Sequence, residues 1–66
     1  MKPYLERVIT EKTELDSKRA KLKDFITGAG FHGIAPEEQD RLKRQLNAMD
    51  TYSQILSERI QFGSAT

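Results

Sequence analysis

Five polar side chains have types and spacings that could hold a phosphate-bearing molecule: Lys12, Arg19, Gln45, Tyr52 and Arg59. Lys12 and Arg19 fall where an apolar series of three- and four-residue steps, Leu5, Val8, Leu15, Leu22 and Ile26, skips a member. A cation in such a seam is costly unless a partner neutralises it or its stem carries the charge outward. Gln45, Tyr52 and Arg59 follow at intervals of seven, so they line one edge of a helix. Arginine offers a phosphate a planar fork, lysine a point charge, and tyrosine a stacking face with a hydroxyl. On this reading Lys12, Arg19 and Arg59 neutralise phosphates, Tyr52 stacks on a base or donates a hydrogen bond, and Gln45 reads a polar edge. A second reading is structural: polar groups at seam positions set register and oligomeric state, with Asp16, Glu11 or Asp50 as counter-charges. Both readings stay open in the sequence.

Two helices must position these residues. The first is expected over about residues 3–27, with Pro3 in the first turn, where its missing N–H costs nothing. Three glycines within Gly28–Gly33 break the pattern, and a glycine-rich turn is expected over residues 28–35, with Phe31 and Ile34 tucked against the hairpin end. Pro36, Glu37, Glu38 and Asp40 mark a new helix start, with acids at the positive end of its dipole. This second helix, about residues 36–62, carries Leu42, Leu46, Met49, Leu56 and Ile60 on one stripe, and Gly63 should end it and leave a frayed tail over 63–66. So short a connection folds the helices back antiparallel, with Arg19 level with Gln45 to Met49 and Lys12 level with Tyr52 to Leu56. The expected fold class is all-α: one antiparallel two-helix hairpin domain over residues 1–66.

Size and composition point beyond the single chain. Sixty-six residues with 36% hydrophobic and 32% charged content allow a thin core, and chains this small fold with help from a disulfide, a metal or a partner. No cysteine is present and His32 is the single histidine, so disulfide and zinc routes are closed. A homo-oligomeric helical bundle is therefore expected. The net charge of +1, and of +2 over residues 1–27, is too balanced for a nucleic-acid partner, and the basic run Lys18, Arg19, Lys21 and Lys23 reads as a solvated face. No apolar run nears the ~20 residues of a membrane span, and the N-terminus lacks a signal peptide's apolar stretch, so the expected location is cytoplasmic. Residues 28–33 match G-x-G-x-x-G, but a dinucleotide-binding turn must follow a strand, and this one follows a helix. Its N–H groups, with Phe31 and His32, could at most line an anion site. No nucleophile, base and orienting group come together, so neither an enzyme nor a cofactor is expected.

Two stretches carry a resemblance. Arg7-Val8-x-x-Glu11-x-x-Glu14-Leu15 with Leu22-x-x-Phe25-Ile26, and Arg41-Leu42-x-x-Gln45-x-x-Ala48-Met49-x-x-Tyr52-x-x-Ile55-Leu56-x-x-Arg59-Ile60, resemble very short phage and prophage proteins related to one first named in crAss-like phages. The likeness covers about residues 4–62, most specifically Gln45 to Ile60. It implies an accessory phage protein without a catalytic motif, acting against the immunity of the infected bacterial host. Small helical phage proteins do this in two ways. An oligomeric sponge sequesters a nucleotide signal, here a cyclic or ADP-ribose-type nucleotide held by Lys12, Arg19, Gln45, Tyr52 and Arg59. An inhibitor or adaptor instead covers a host defence protein, for instance through Tyr4, Ile9 and Ile55.

Overall fold

A computed structural model describes residues 2–64 and shows two long helices packed against each other as a hairpin. The first, α1, spans Pro3–Thr27, and the second, α2, spans Pro36–Ser64. The helix pair is 48 Å long and only 15 by 13 Å across.

Pro3 sits in the first turn of α1, and Lys2 closes that turn through its carbonyl, which accepts from the Leu5 and Glu6 N–H groups. At the other end the Gly28 N–H donates to Phe25 O, and its backbone turns extended. The link is not a loose glycine loop. Ala29–Gly33 winds into a short 3-10 helix, and no glycine in the described chain takes a positive φ. What fixes the turn is Phe31, 1% exposed, packed edge-on to Phe25 and to His32 at ring separations of 6.1 and 5.7 Å. Lys43 of α2 places its ammonium 5.7 Å from the Phe31 ring, on the other side of the connection. Ile34, the other apolar residue of the turn, is half-buried. Its carbonyl accepts from Gln39 Nε2 at 2.7 Å, while Ala35 O accepts from the Glu38 and Gln39 N–H groups to open α2.

The core lies between the helices, mostly away from the turn. Val8, Leu15 and Leu56 form its centre, Met49 and Ile60 pack on it, and Leu5 is buried beyond it. These positions recur at steps of three and four, the spacing that keeps one face of a helix against its neighbour. One boundary differs from the sequence expectation. Gly63 does not end α2, which continues through it to Ser64. The reason is packing: a Cβ at residue 63 would stand 2.6 Å from Leu5 Cδ2 and 3.2 Å from Tyr4 Oη. The glycine lets the open end of the hairpin close, and the gain offsets its poor helix propensity. Ala65 and Thr66 of the expected frayed tail lie outside the described residues. None of the described helices is long and apolar enough to cross a membrane.

Candidate functional site

Midway along the hairpin the apolar seam gives way to a polar cluster, and the sequence places it there. α1 carries Asp16 and Arg19 one turn apart, and α2 carries Asp50 and Ser53 at the same spacing. When the helices pack, the two pairs meet. Arg19 sends Nε and Nη2 to a single oxygen of Asp50, at 2.9 and 2.7 Å. Its Nη1 donates to Asp16 Oδ1 at 2.8 Å and to Ser53 Oγ at 3.2 Å. Ser53, 4% exposed, donates its hydroxyl to Asp16 Oδ1 at 2.6 Å. Lys12 Nζ holds the other Asp16 oxygen at 2.6 Å. Every buried side-chain polar atom of the described residues has a partner, so the seam carries this cluster without the cost of an orphaned group.

Electrostatics follow from the contacts. The Lys12 ammonium, then the Ser53 hydroxyl and the Arg19 guanidinium, hold the Asp16 carboxyl well below its ordinary value of 3.8. Asp16, then Asp50, push the Arg19 guanidinium still higher than its ordinary value. Asp16 is thereby held as an anion and Arg19 as a cation at neutral pH. Two cations and two carboxylates balance, so the cluster is neutral as a set.

Beside the cluster lies an open groove of about 320 Å³, lined by Asp16, Arg19, Ala20, Lys23, Leu46 and Asp50. Its volume is at the lower end of small-molecule sites, which run from roughly 300 to 1,000 Å³. Ala20 explains the opening: a methyl group stands where a longer side chain would fill the space between Arg19 and Lys23. Leu46 supplies an apolar surface, Lys23 a positive charge, and Asp50 an oxygen, Oδ2, that takes no bond in the cluster. The groove can thus offer donors to an anion and acceptors to hydroxyl or amino groups. A larger depression of about 410 Å³ on the outer side of α1 is framed by that helix alone, and its carboxylates, Glu6, Glu11 and Glu14, repel an anion.

The five residues singled out by spacing divide into two sets. Lys12 and Arg19 are half-buried and share Asp16. Arg19 meets Asp50 and Ser53, just beyond the Gln45–Met49 level expected for it. Gln45, Tyr52 and Arg59 occupy exposed positions on α2, and none of the cluster's hydrogen bonds involves them. Of the three suggested counter-charges, Asp16 and Asp50 serve, and Glu11 has no part in the cluster. Ser53 and the groove residues Ala20, Lys23 and Leu46 were not singled out as site residues by spacing. A signal for Ser53 is present, since it fills the gap in the series Leu42, Leu46, Met49, Leu56 and Ile60.

Comparison with known proteins gives no match among curated proteins or solved structures. A family model does match, and it covers residues 2–62, hence both helices, the turn and the whole polar cluster. The chain belongs to the Sequestin family, whose name suggests a sequestering protein.

Proposed function

We propose that this chain is a phage accessory protein that sequesters a nucleotide immune signal of its bacterial host, of the cyclic or ADP-ribose type, in the host cytoplasm and without altering it. The groove beside Arg19 carries the reading. It combines Lys23 and the one Nη2 hydrogen of Arg19 that the cluster leaves over for a phosphate with Asp50 Oδ2 as an acceptor for ribose hydroxyls, over an apolar floor at Leu46. Membership of a family named for sequestration supports it. Sequestration needs affinity and abundance but no bond breaking, which suits a chain of 66 residues. In this account Lys12 orients Asp16 and through it Arg19, while Gln45, Tyr52 and Arg59 sit on the neighbouring face of α2, outside the groove.

The test is native mass spectrometry of the full chain mixed with ADP-ribose or with a cyclic dinucleotide. The expected result is retention of one probe, which denaturation then releases at its original mass. Retention of neither, or release of a cleaved product, contradicts the reading. A second reading has its own observation. Tyr4, Phe25, Tyr52, Ile55 and Phe62 are large apolar side chains between 41% and 64% exposed, as an inhibitor or adaptor for a host defence protein would display. One host protein recovered in stoichiometric amount, with no nucleotide retained, would favour it.

A further inference from the structure

Helix α2 carries two seams, and α1 covers one of them. The inward seam is the series of four- and three-residue steps that begins at Leu42 and includes Ser53 and Leu56, each member buried or half-buried. One residue out of step with it runs a second series, Gln45, Ala48, Tyr52, Ile55, Arg59 and Phe62, at steps of three, four, three, four and three. Every member of this second series is exposed, and three of them belong to the molecule's large exposed hydrophobics: Tyr52 at 41%, Ile55 at 47% and Phe62 at 64%. Alternating steps of three and four along one face are the pattern by which a helix packs on another helix.

We infer that this face is an interface between two copies of the chain, formed by antiparallel pairing of α2 with α2 about a two-fold axis between residues 53 and 54. The series is symmetric about that point. The axis sets Tyr52 against the partner subunit's Ile55, Ala48 against the partner subunit's Arg59, and Gln45 against the partner subunit's Phe62. Each layer then joins a larger group to a smaller or flexible one, and the methyl of Ala48 leaves room for an arginine stem whose charge reaches water. A parallel pairing would instead stack Arg59 on its own copy. The antiparallel register holds the two guanidinium groups roughly 16 Å apart along the axis, beyond the ~8 Å Debye length at physiological salt.

The free chain has surface to spare for this contact. Its accessible area is 4859 Å², against roughly 4,300 Å² for a compact monomer of the same mass. The surplus, on the order of 500 Å², is more than half of the ~800 Å² that each partner contributes to a standard interface. Gln45, Tyr52 and Arg59, polar or amphipathic members at intervals of seven, are then the residues that fix this register. The assignment holds whatever the groove binds.

Two experiments on the full chain test it. Sedimentation equilibrium at micromolar concentration should give twice the 7.6 kDa chain mass. Ile55→Asp should weaken association by about 100-fold, as a charge in a desolvated seam requires, with helical circular dichroism retained. Phe25→Asp, at an exposed apolar residue of α1, should leave association unchanged. The register is tested by cysteines, because the chain has none of its own. Ala48→Cys and Arg59→Cys, each oxidised alone, should stay uncrosslinked, and their mixture should form a disulfide-linked dimer. A monomeric wild type, or crosslinking of each variant with itself but not in the mixture, overturns the inference.

Discussion

The two halves of the hairpin are built on different physics. Away from the turn the helices meet through Leu5, Val8, Leu15 and Leu56, each no more than 9% exposed. Toward the turn Leu22, Ile26, Leu42 and Leu46 hold the same seam positions, yet none is fully buried, and Phe31 supplies the closure from the connection. At the junction, Asp16, Arg19, Asp50 and Ser53 replace apolar contact with ion pairs and hydrogen bonds. Burial stabilises without regard to direction, whereas the polar cluster fixes which residues stand level. The groove opens beside it, on the side where the seam residues are only half-buried. The half that holds the fold together is thus not the half that offers a site.

This contrast can be broken from either side. Leu56 is wholly buried, and Leu56→Ala should cost about 2–5 kcal/mol, a large part of what so small a chain possesses. Urea unfolding followed by circular dichroism reads it. Leu22→Ala, at the corresponding seam in the half-open part, should cost less, about 1–2 kcal/mol, because its side chain is only half withdrawn from water. Equal losses at the two sites would remove the distinction between the halves.

Acid should act on the cluster rather than on the apolar half. With the Asp16 carboxyl held below its ordinary value in the folded chain, the unfolded chain takes up the proton first as pH falls. The Asp16 contribution is therefore complete above about pH 5, shrinks as pH drops through about 4, and is gone below the folded value. Melting temperatures of wild type and Asp16→Asn across that range should converge toward low pH, and curves that stay parallel would deny Asp16 this role. Smallest of all is the effect of Lys23→Ala on stability, within about 0.5 kcal/mol, since Lys23 lines the groove without joining the ion pairs.

Much of this was legible before the structure, and particular residues show why. The hairpin follows from two apolar series separated by Gly28–Gly33 and Pro36, because helical period and turn chemistry are local properties. Lys12 and Arg19 announced themselves as cations in a seam, and Asp16 and Asp50 were within reach as counter-charges. What could not be read was the choice between neutralisation and ligand, since that depends on which carboxylate oxygen faces which nitrogen across the helices. Lys23 and Ala20 gave no periodic signal: a groove is a property of the space between helices. Gly63 looked like a helix stop because glycine ends helices more often than it lets Leu5 approach. Gln45, Tyr52 and Arg59 were correctly seen to share an edge of α2, but one residue's offset directs that edge away from α1.

The central claim is that the groove beside the cluster holds a nucleotide, and calorimetric titration tests it most directly. ADP-ribose and a cyclic dinucleotide are titrated into the wild type, Lys23→Ala, and Lys21→Ala as a control outside the groove lining. The account predicts saturable binding of one probe by the wild type and by Lys21→Ala, weakened about tenfold or more in Lys23→Ala, whose melting temperature is unchanged. Binding that is absent from the wild type, or equally strong in all three chains, would contradict it.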